Sequence, residues 1–197
     1  TGEPVALTGL QWSEAQARLQ RGDADVIDMI FRTPAREGLY EFSAPYATLP
    51  VAIFRHTSVT GLGHVRALRG FQVGVQAGDA CIDTLRQQGI TSLVEFPNYA
   101  ALIDAALRQD IKLFCLDEYP ANFYLYQRGA HRDFVKALEL YRGEFHRAVR
   151  AGQGDLLARV EAGMARITPE ERAALQAKWI APPGADWRDW LRPAAWV

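Results

Sequence analysis

Cysteine is almost missing from this sequence: Cys81 and Cys115 are the only two in 197 residues. Two thiols are too few for a disulfide scaffold, and their spacing is too wide for a metal knuckle. They read as two buried thiols, with a single bridge between them as the alternative. Also missing is an excess of either charge. Lys and Arg number 22 against 23 Asp and Glu, interspersed, for a net charge of −1. There is no overall field to draw nucleic acid or an anionic membrane, so the expected partner is a small molecule and not a nucleic acid. No apolar run approaches the length of a membrane-spanning helix, and no charged-then-apolar leader opens the chain. The chain therefore reads as a soluble piece or a processed one, its signal removed if it is secreted. His56, His64, His131 and His146 are scattered, with no His-x-x-x-His pair, so no metal is expected. The sequence has no G-x-G-x-x-G, no Gly-Lys-Ser/Thr and no G-x-S-x-G. These absences remove dinucleotide, P-loop and serine-hydrolase chemistry, and no cofactor is expected.

What is present is an apolar supply of 49% of residues, enough for one sizeable core or two small ones. The stretch DVIDMIFRTPAREGLYEFSAPY, residues 25–46, organises the rest. Residues 24–30 are rich in β-branched and apolar types after Gly22 and read as a short buried strand. Thr33 then reads as a helix cap, with Pro34 at the first helical position, where a missing N–H does no harm, and Arg36 in the first turn. A helix start carries partial positive charge, and a guanidinium grips a carboxylate with two parallel hydrogen bonds. Thr33, the turn amides and Arg36 thus form a candidate site for one carboxylate. On its own the segment reads better as an ordinary Thr-Pro start with a solvent-facing arginine. An exposed Arg36 predicts that Arg36→Ala abolishes ligand binding and leaves the fold intact.

Along the chain, residues 5–7 read as a short strand, followed by a helix capped by Ser13, with Ala15, Leu19 and Trp12 inward and Gly22 as terminator. Residues 49–54, LPVAIF, read as a strand. Residues 71–75 give another strand, then a tight Gln76-Ala77-Gly78-Asp79 loop and a helix ended by Gly89. Residues 93–96 are a strand, 99–108 a helix, and 111–116 a strand that delivers Asp117 to its carboxyl end. In open α/β sheets ligands bind in the crevice beyond those ends, so Asp117 is a second candidate. The alternative is a capping aspartate before the helix at Tyr119. The aromatics Phe123, Tyr124 and Tyr126 of that helix read as core, or as a pocket wall. Residues 138–141 return the chain. Leu156, Leu157, Val160, Met164 and Ile167 mark a helix by their spacing of three and four. Thr168-Pro169-Glu170-Glu171 is a capping box for a last helix, and the tail holds three of the five Trp residues.

Three motifs in register carry a resemblance: Gly22-Asp23-Ala24-Asp25-Val26-Ile27, Thr33-Pro34-Ala35-Arg36, and Phe42-Ser43-Ala44-Pro45-Tyr46. Together they resemble G-x-x-D-x-I, T-x-x-R and F-S-x-P-Y of the extracellular solute-binding proteins of the polar amino-acid type. The Leu68-Arg69-Gly70, strand and Gly-loop unit and the closing Lys178-Trp179 extend it. The resemblance implies an α/β, two-lobed periplasmic-binding-protein-like clamp of the Venus flytrap type. Lobe one would span residues 1–54 and 140–197, incomplete at its N-terminus because family members place a strand and a helix ahead of this chain's start. Either the chain is a fragment or another chain completes it. Lobe two would span 55–139. The implied ligand is an amino acid or a related small carboxylate, held by Phe31, Thr33, Arg36, Gly78, Asp79 and Asp117, with Arg36 on its carboxylate and Asp117 on its ammonium. At position 79 the family has a small hydroxyl residue that helps hold the carboxylate. An acid there means either that Asp79 turns to its own backbone or that the ligand is not a standard α-amino acid. The implied role is a periplasmic sensor domain attached to a membrane-spanning signalling protein, with a homodimer left open. The alternatives are a transport receptor of an amino-acid ABC importer, a cyclic-carboxylate dehydratase using Asp79 or Asp117 as general acid, and a structural domain without a ligand.

Overall fold

A computed structural model of the chain describes residue 2 and residues 4–179. At its centre is the apolar run at 49–54. This run lies in β3 (Ala47–His56), where six successive residues are buried, the pattern of a strand covered on both faces. β3 pairs antiparallel with β7 (Phe134–Arg150) on one side and with β6 (Leu113–Asp117) on the other. β7 is 17 residues long and carries β1 (Ile27–Phe31) and β2 (Tyr40–Phe42) antiparallel along its second half. Beyond β6 the pairing turns parallel, with β4 (Val73–Gln76) against β6 and β5 (Leu93–Phe96) against β4. The seven-stranded sheet runs β1-β7-β3-β6-β4-β5, with β2 also on β7.

Two crossovers build the parallel part. α2 (Ala80–Gln87) carries the chain from β4 out to β5, and α3 (Tyr99–Leu107) carries it back past β4 to β6. Crossovers of this kind are right-handed, so steps in opposite directions put the two helices on opposite faces. The packing follows that rule. Cys81, Ile82 and Leu85 of α2 join Val73, Val75, Leu113 and Cys115 in one cluster. Leu102, Ile103 and Ala106 of α3, with Ala121 and Leu125 of α4 (Glu118–Gln127), join Phe54, Phe114 and Leu116 in another. Successive residues of β6 thus feed alternate faces, as the pleat requires. A third cluster sets Leu19 of α1 (Trp12–Arg21) on Ile27, Ile30, Tyr40 and Ala148.

Several expectations change. Residues 5–7 are not a strand: Val5 and Leu7 are 81% and 94% exposed in chain without regular structure, and a strand holds only when a neighbour takes its hydrogen bonds. α1 begins at Trp12, ahead of Ser13, with Gln11 in the cap position and no side-chain bond there. The return segment at 138–141 is the middle of the continuous β7. Phe123 and Tyr126 are 61% and 66% exposed and Tyr124 is half-buried; α3 is already covered by Ala121 and Leu125 from the other side of α4. Cys81 and Cys115 are bonded to each other, so the bridge replaces the pair of buried thiols. α5 (Gly154–Met164) and α6 (Pro169–Trp179) follow. The capping box is reciprocal, with Thr168 N donating to Glu171 Oε2 at 2.9 Å and Glu171 N to Thr168 Oγ1 at 3.2 Å. The tryptophan-rich tail, residues 182–197, lies outside the described residues.

Candidate ligand-binding site

β1 and β2 both dock on β7, and eight residues separate Phe31 from Tyr40. That is too short a span for a helix that must return the chain to the same strand. Residues 34–39 are turns: the amides of Arg36 and Glu37 both donate to Thr33 O, at 2.9 and 3.2 Å, and those of Leu39 and Tyr40 to Arg36 O, at 3.0 and 3.1 Å. Thr33 is therefore not a helix cap. Its Oγ1 is buried, with no hydrogen-bond partner among the described residues.

Arg36 is not exposed either. It is 6% accessible, donating from Nη1 to Phe31 O and from Nη2 to Gly78 O, both at 2.8 Å. Its guanidinium lies 5.7 Å from the centre of the Trp12 ring. Burial pulls its pKa down, and the charges of Asp79 and Asp83 act against that; a guanidinium stays charged under such shifts. The Phe31 ring is itself packed away, stacked on Phe145 at 4.8 Å and edge-on to Tyr141 at 6.2 Å.

The Gly78 carbonyl collects donors. Trp12 Nε1 and Gln16 Nε2, four residues apart on α1, donate to it at 3.0 and 3.1 Å beside Arg36 Nη2. Gly78 has φ +73°, and a Cβ there would stand 2.8 Å from Gln16 Nε2. The left-handed backbone and the close approach of α1 both call for glycine. Asp79 caps α2, accepting from Cys81 N at 2.8 Å, so it turns to its own backbone. Burial raises its pKa, opposed by the Cys81 amide and by Arg36.

Asp117 ends β6 at 6% accessibility. It precedes α4 without making a side-chain cap bond. The contact to its carboxylate is Tyr99 Oη donating to Oδ2 at 3.3 Å, long for a hydrogen bond between oxygens. Burial, then the charge of Asp79, pushes the Asp117 carboxyl up to about 7 against the Tyr99 bond. Burial and the same two acids raise Tyr99 and Tyr141. The Tyr141 hydroxyl is buried with no partner among the described residues.

The placement has a topological cause. The connections leaving β4 and β6 go to opposite faces, to α2 and α4, so the crevice between the carboxyl ends of these neighbouring strands is the switch point where open α/β sheets bind ligands. Asp79 stands on one side of it and Asp117 on the other. The bridge between Cys81 and Cys115, each two residues from one of these acids, fixes their spacing. Electrostatically, Arg36, Asp79, Asp117 and Tyr141 form one group, since all three charges act on the tyrosine hydroxyl. Trp12, Gln16, Tyr99 and Tyr141 were not singled out from sequence as part of the site. Only the shared face of Trp12 and Gln16 was visible there, without its target 66 residues away.

The model of the bacterial extracellular solute-binding proteins, family 3, matches residues 2–182. The Virulence sensor protein BvgS of Bordetella bronchiseptica is 26% identical over 182 residues, covering 90% of this chain and 14% of that protein. The chain thus spans about 14% of the length of the curated relatives it matches. Among solved structures, a histidine kinase sensor domain with similarity to periplasmic binding proteins superposes with a TM-score of 0.80 at 23% identity, over 87% of this chain and 76% of that one. Holo ArgBP from T. maritima superposes with a TM-score of 0.74 at 20% identity, over 92% of this chain and 80% of that one. The fold is that of a periplasmic binding protein.

Proposed function

The chain belongs to the bacterial extracellular solute-binding proteins, family 3, and from that premise we propose that it is the sensing domain of a membrane signalling protein, closing over a small amine-bearing solute. It acts on the outer side of the cytoplasmic membrane, a compartment in which a bridge such as Cys81–Cys115 persists;. The sensor role is supported by the curated relatives, which are named sensor proteins and are several times longer than the segment matched. In this reading residues 1–54 and 140–197 form one lobe and 55–139 the other. A solute held between them gains both sets of contacts only when they close, so binding shifts the population toward the closed form. No covalent step is assigned.

The observation that carries the reading is Asp117: a buried carboxylate at the switch point, with no cap bond and, among the described residues, one long hydrogen bond. A buried charge so poorly paired is costly unless a cation completes it. The test is a thermal-shift screen of the purified chain against amino acids and small amines, run beside Asp117→Asn. A rise in Tm with some members, absent in the variant, supports the assignment. Equal shifts in both proteins would remove Asp117 from the site.

A further inference from the structure

We infer, resting on the reading above, that the solute is a small organic cation without a carboxylate, an amine and not an amino acid. A ligand carboxylate needs donors, and the chain has committed several of those near the site to itself. Arg36 Nη1 and Nη2 each hold a main-chain carbonyl, of Phe31 and Gly78, at 2.8 Å. The first-turn amide of α2, Cys81 N, is taken by Asp79 Oδ1. Asp79 thereby sets a negative charge at the helix start where a ligand anion would gain most from the helix dipole.

Redirecting Arg36 is also costly. A carbonyl oxygen has two lone pairs, yet Trp12, Gln16 and Arg36 all donate to that of Gly78. Pulling Arg36 onto a ligand carboxylate gives up both of its 2.8 Å contacts, and the Phe31 carbonyl has no such second and third side-chain donor among the described residues. What stays unsatisfied includes acceptors. Asp117 has one long hydrogen bond, and the hydroxyls of Tyr141 and Thr33 have no partner among the described residues. All three can accept from an ammonium or guanidinium group. The charges agree in sign, since the acids that act on this group, Asp79, Asp83 and Asp117, outnumber Arg36. A cation offsets that excess, whereas a zwitterion adds an ion pair and leaves it in place.

The test compares amino acids with their decarboxylation products: arginine with agmatine, lysine with cadaverine, histidine with histamine. Binding is measured by calorimetry to the purified chain and to Asp79→Ser, in which a hydroxyl keeps the helix cap and removes the charge. We expect at least one amine to bind the wild-type chain at least tenfold more tightly than its amino acid, and the gap to narrow at least tenfold in Asp79→Ser. An amino acid that binds the wild-type chain as tightly as its amine overturns the inference and leaves the solute-binding reading standing. No binding by either member of any pair, to either protein, overturns both.

Discussion

Arg36 and Asp117 are two buried charges of opposite sign, both near enough to act on the Tyr141 hydroxyl, and the chain treats them differently. Arg36 donates to two main-chain carbonyls and lies against an aromatic face. Asp117 has one long hydrogen bond and a pKa pushed up to about 7. A buried charge whose hydrogen bonds are all made within the protein serves the fold. One left short of partners marks where a further molecule completes it. The resemblance puts the arginine on the ligand; in the structure it donates to the loop after β4, and in the proposed reading the acid is the group that a solute completes.

The largest predicted effect removes the frame that holds the acids in place. Reducing Cys81–Cys115, or replacing both with alanine, releases a link across 34 residues of chain. It should lower stability by about 4 kcal/mol on loop entropy alone, measured by urea unfolding with and without reductant. If the wild-type and reduced midpoints coincide, α2 and β6 are held by packing and the bridge adds nothing.

Next comes Arg36→Ala, the direct test of the charge bonded within the chain. It strands the Phe31 carbonyl in a buried setting and weakens the hold on Gly78, which should lower stability by about 2–4 kcal/mol in the absence of any ligand. Arg36→Lys should recover part of this, since an ammonium reaches one carbonyl but not both. A stability within 0.5 kcal/mol of wild type, roughly the scatter of surface substitutions, would return Arg36 to the solvent-facing role read from sequence.

Asp117 should show the reverse. Its folded pKa lies above its ordinary value of 3.8, so between about pH 4 and 7 the folded state binds the extra proton. Stability is then highest below the unfolded pKa and falls as pH rises toward 7, by at most about 1.4 kcal/mol per pH unit. Asp117→Asn should flatten that slope and leave the protein at least as stable at pH 8. Amine affinity should run the other way and strengthen from pH 6 to 8 as the carboxylate ionises. A slope that survives in Asp117→Asn belongs to another group, with Asp79 the first to examine.

The sequence made local features readable and left distant ones dark. The runs that became β3, β5 and β6, the cap of α2 and the Thr168–Glu171 box all depend on neighbours within a turn or a strand. Asp117 was singled out because it ends an apolar run, a feature of the chain itself. The turn at Thr33 was misread because its local signals favour a helix while two strands docked on β7 leave no room for one. The burial of Arg36 depends on the Gly78 loop, 42 residues away, and the bridge on how α2 lies against β6. Neither leaves a trace in spacing or composition. Gly78 and Asp79 looked like a ligand loop, yet nothing short of the fold could reveal that Trp12 and Gln16 reach the same carbonyl.

Tyr141→Phe should have the smallest effect on stability and is the sharpest test of the contrast. Its ring contacts the edge of Phe31, and phenylalanine keeps that packing while deleting a buried hydroxyl that has no partner among the described residues. Removing an unpaired polar atom relieves a desolvation penalty, so unfolding free energy should stay within about 0.5 kcal/mol of wild type or rise slightly. Amine affinity should fall about fivefold, the worth of one hydrogen bond of about 1 kcal/mol. A stability loss above about 1 kcal/mol would mean that the hydroxyl already serves the fold as Arg36 does. Unchanged affinity at unchanged stability would restrict the open side of the site to Asp117 and Thr33.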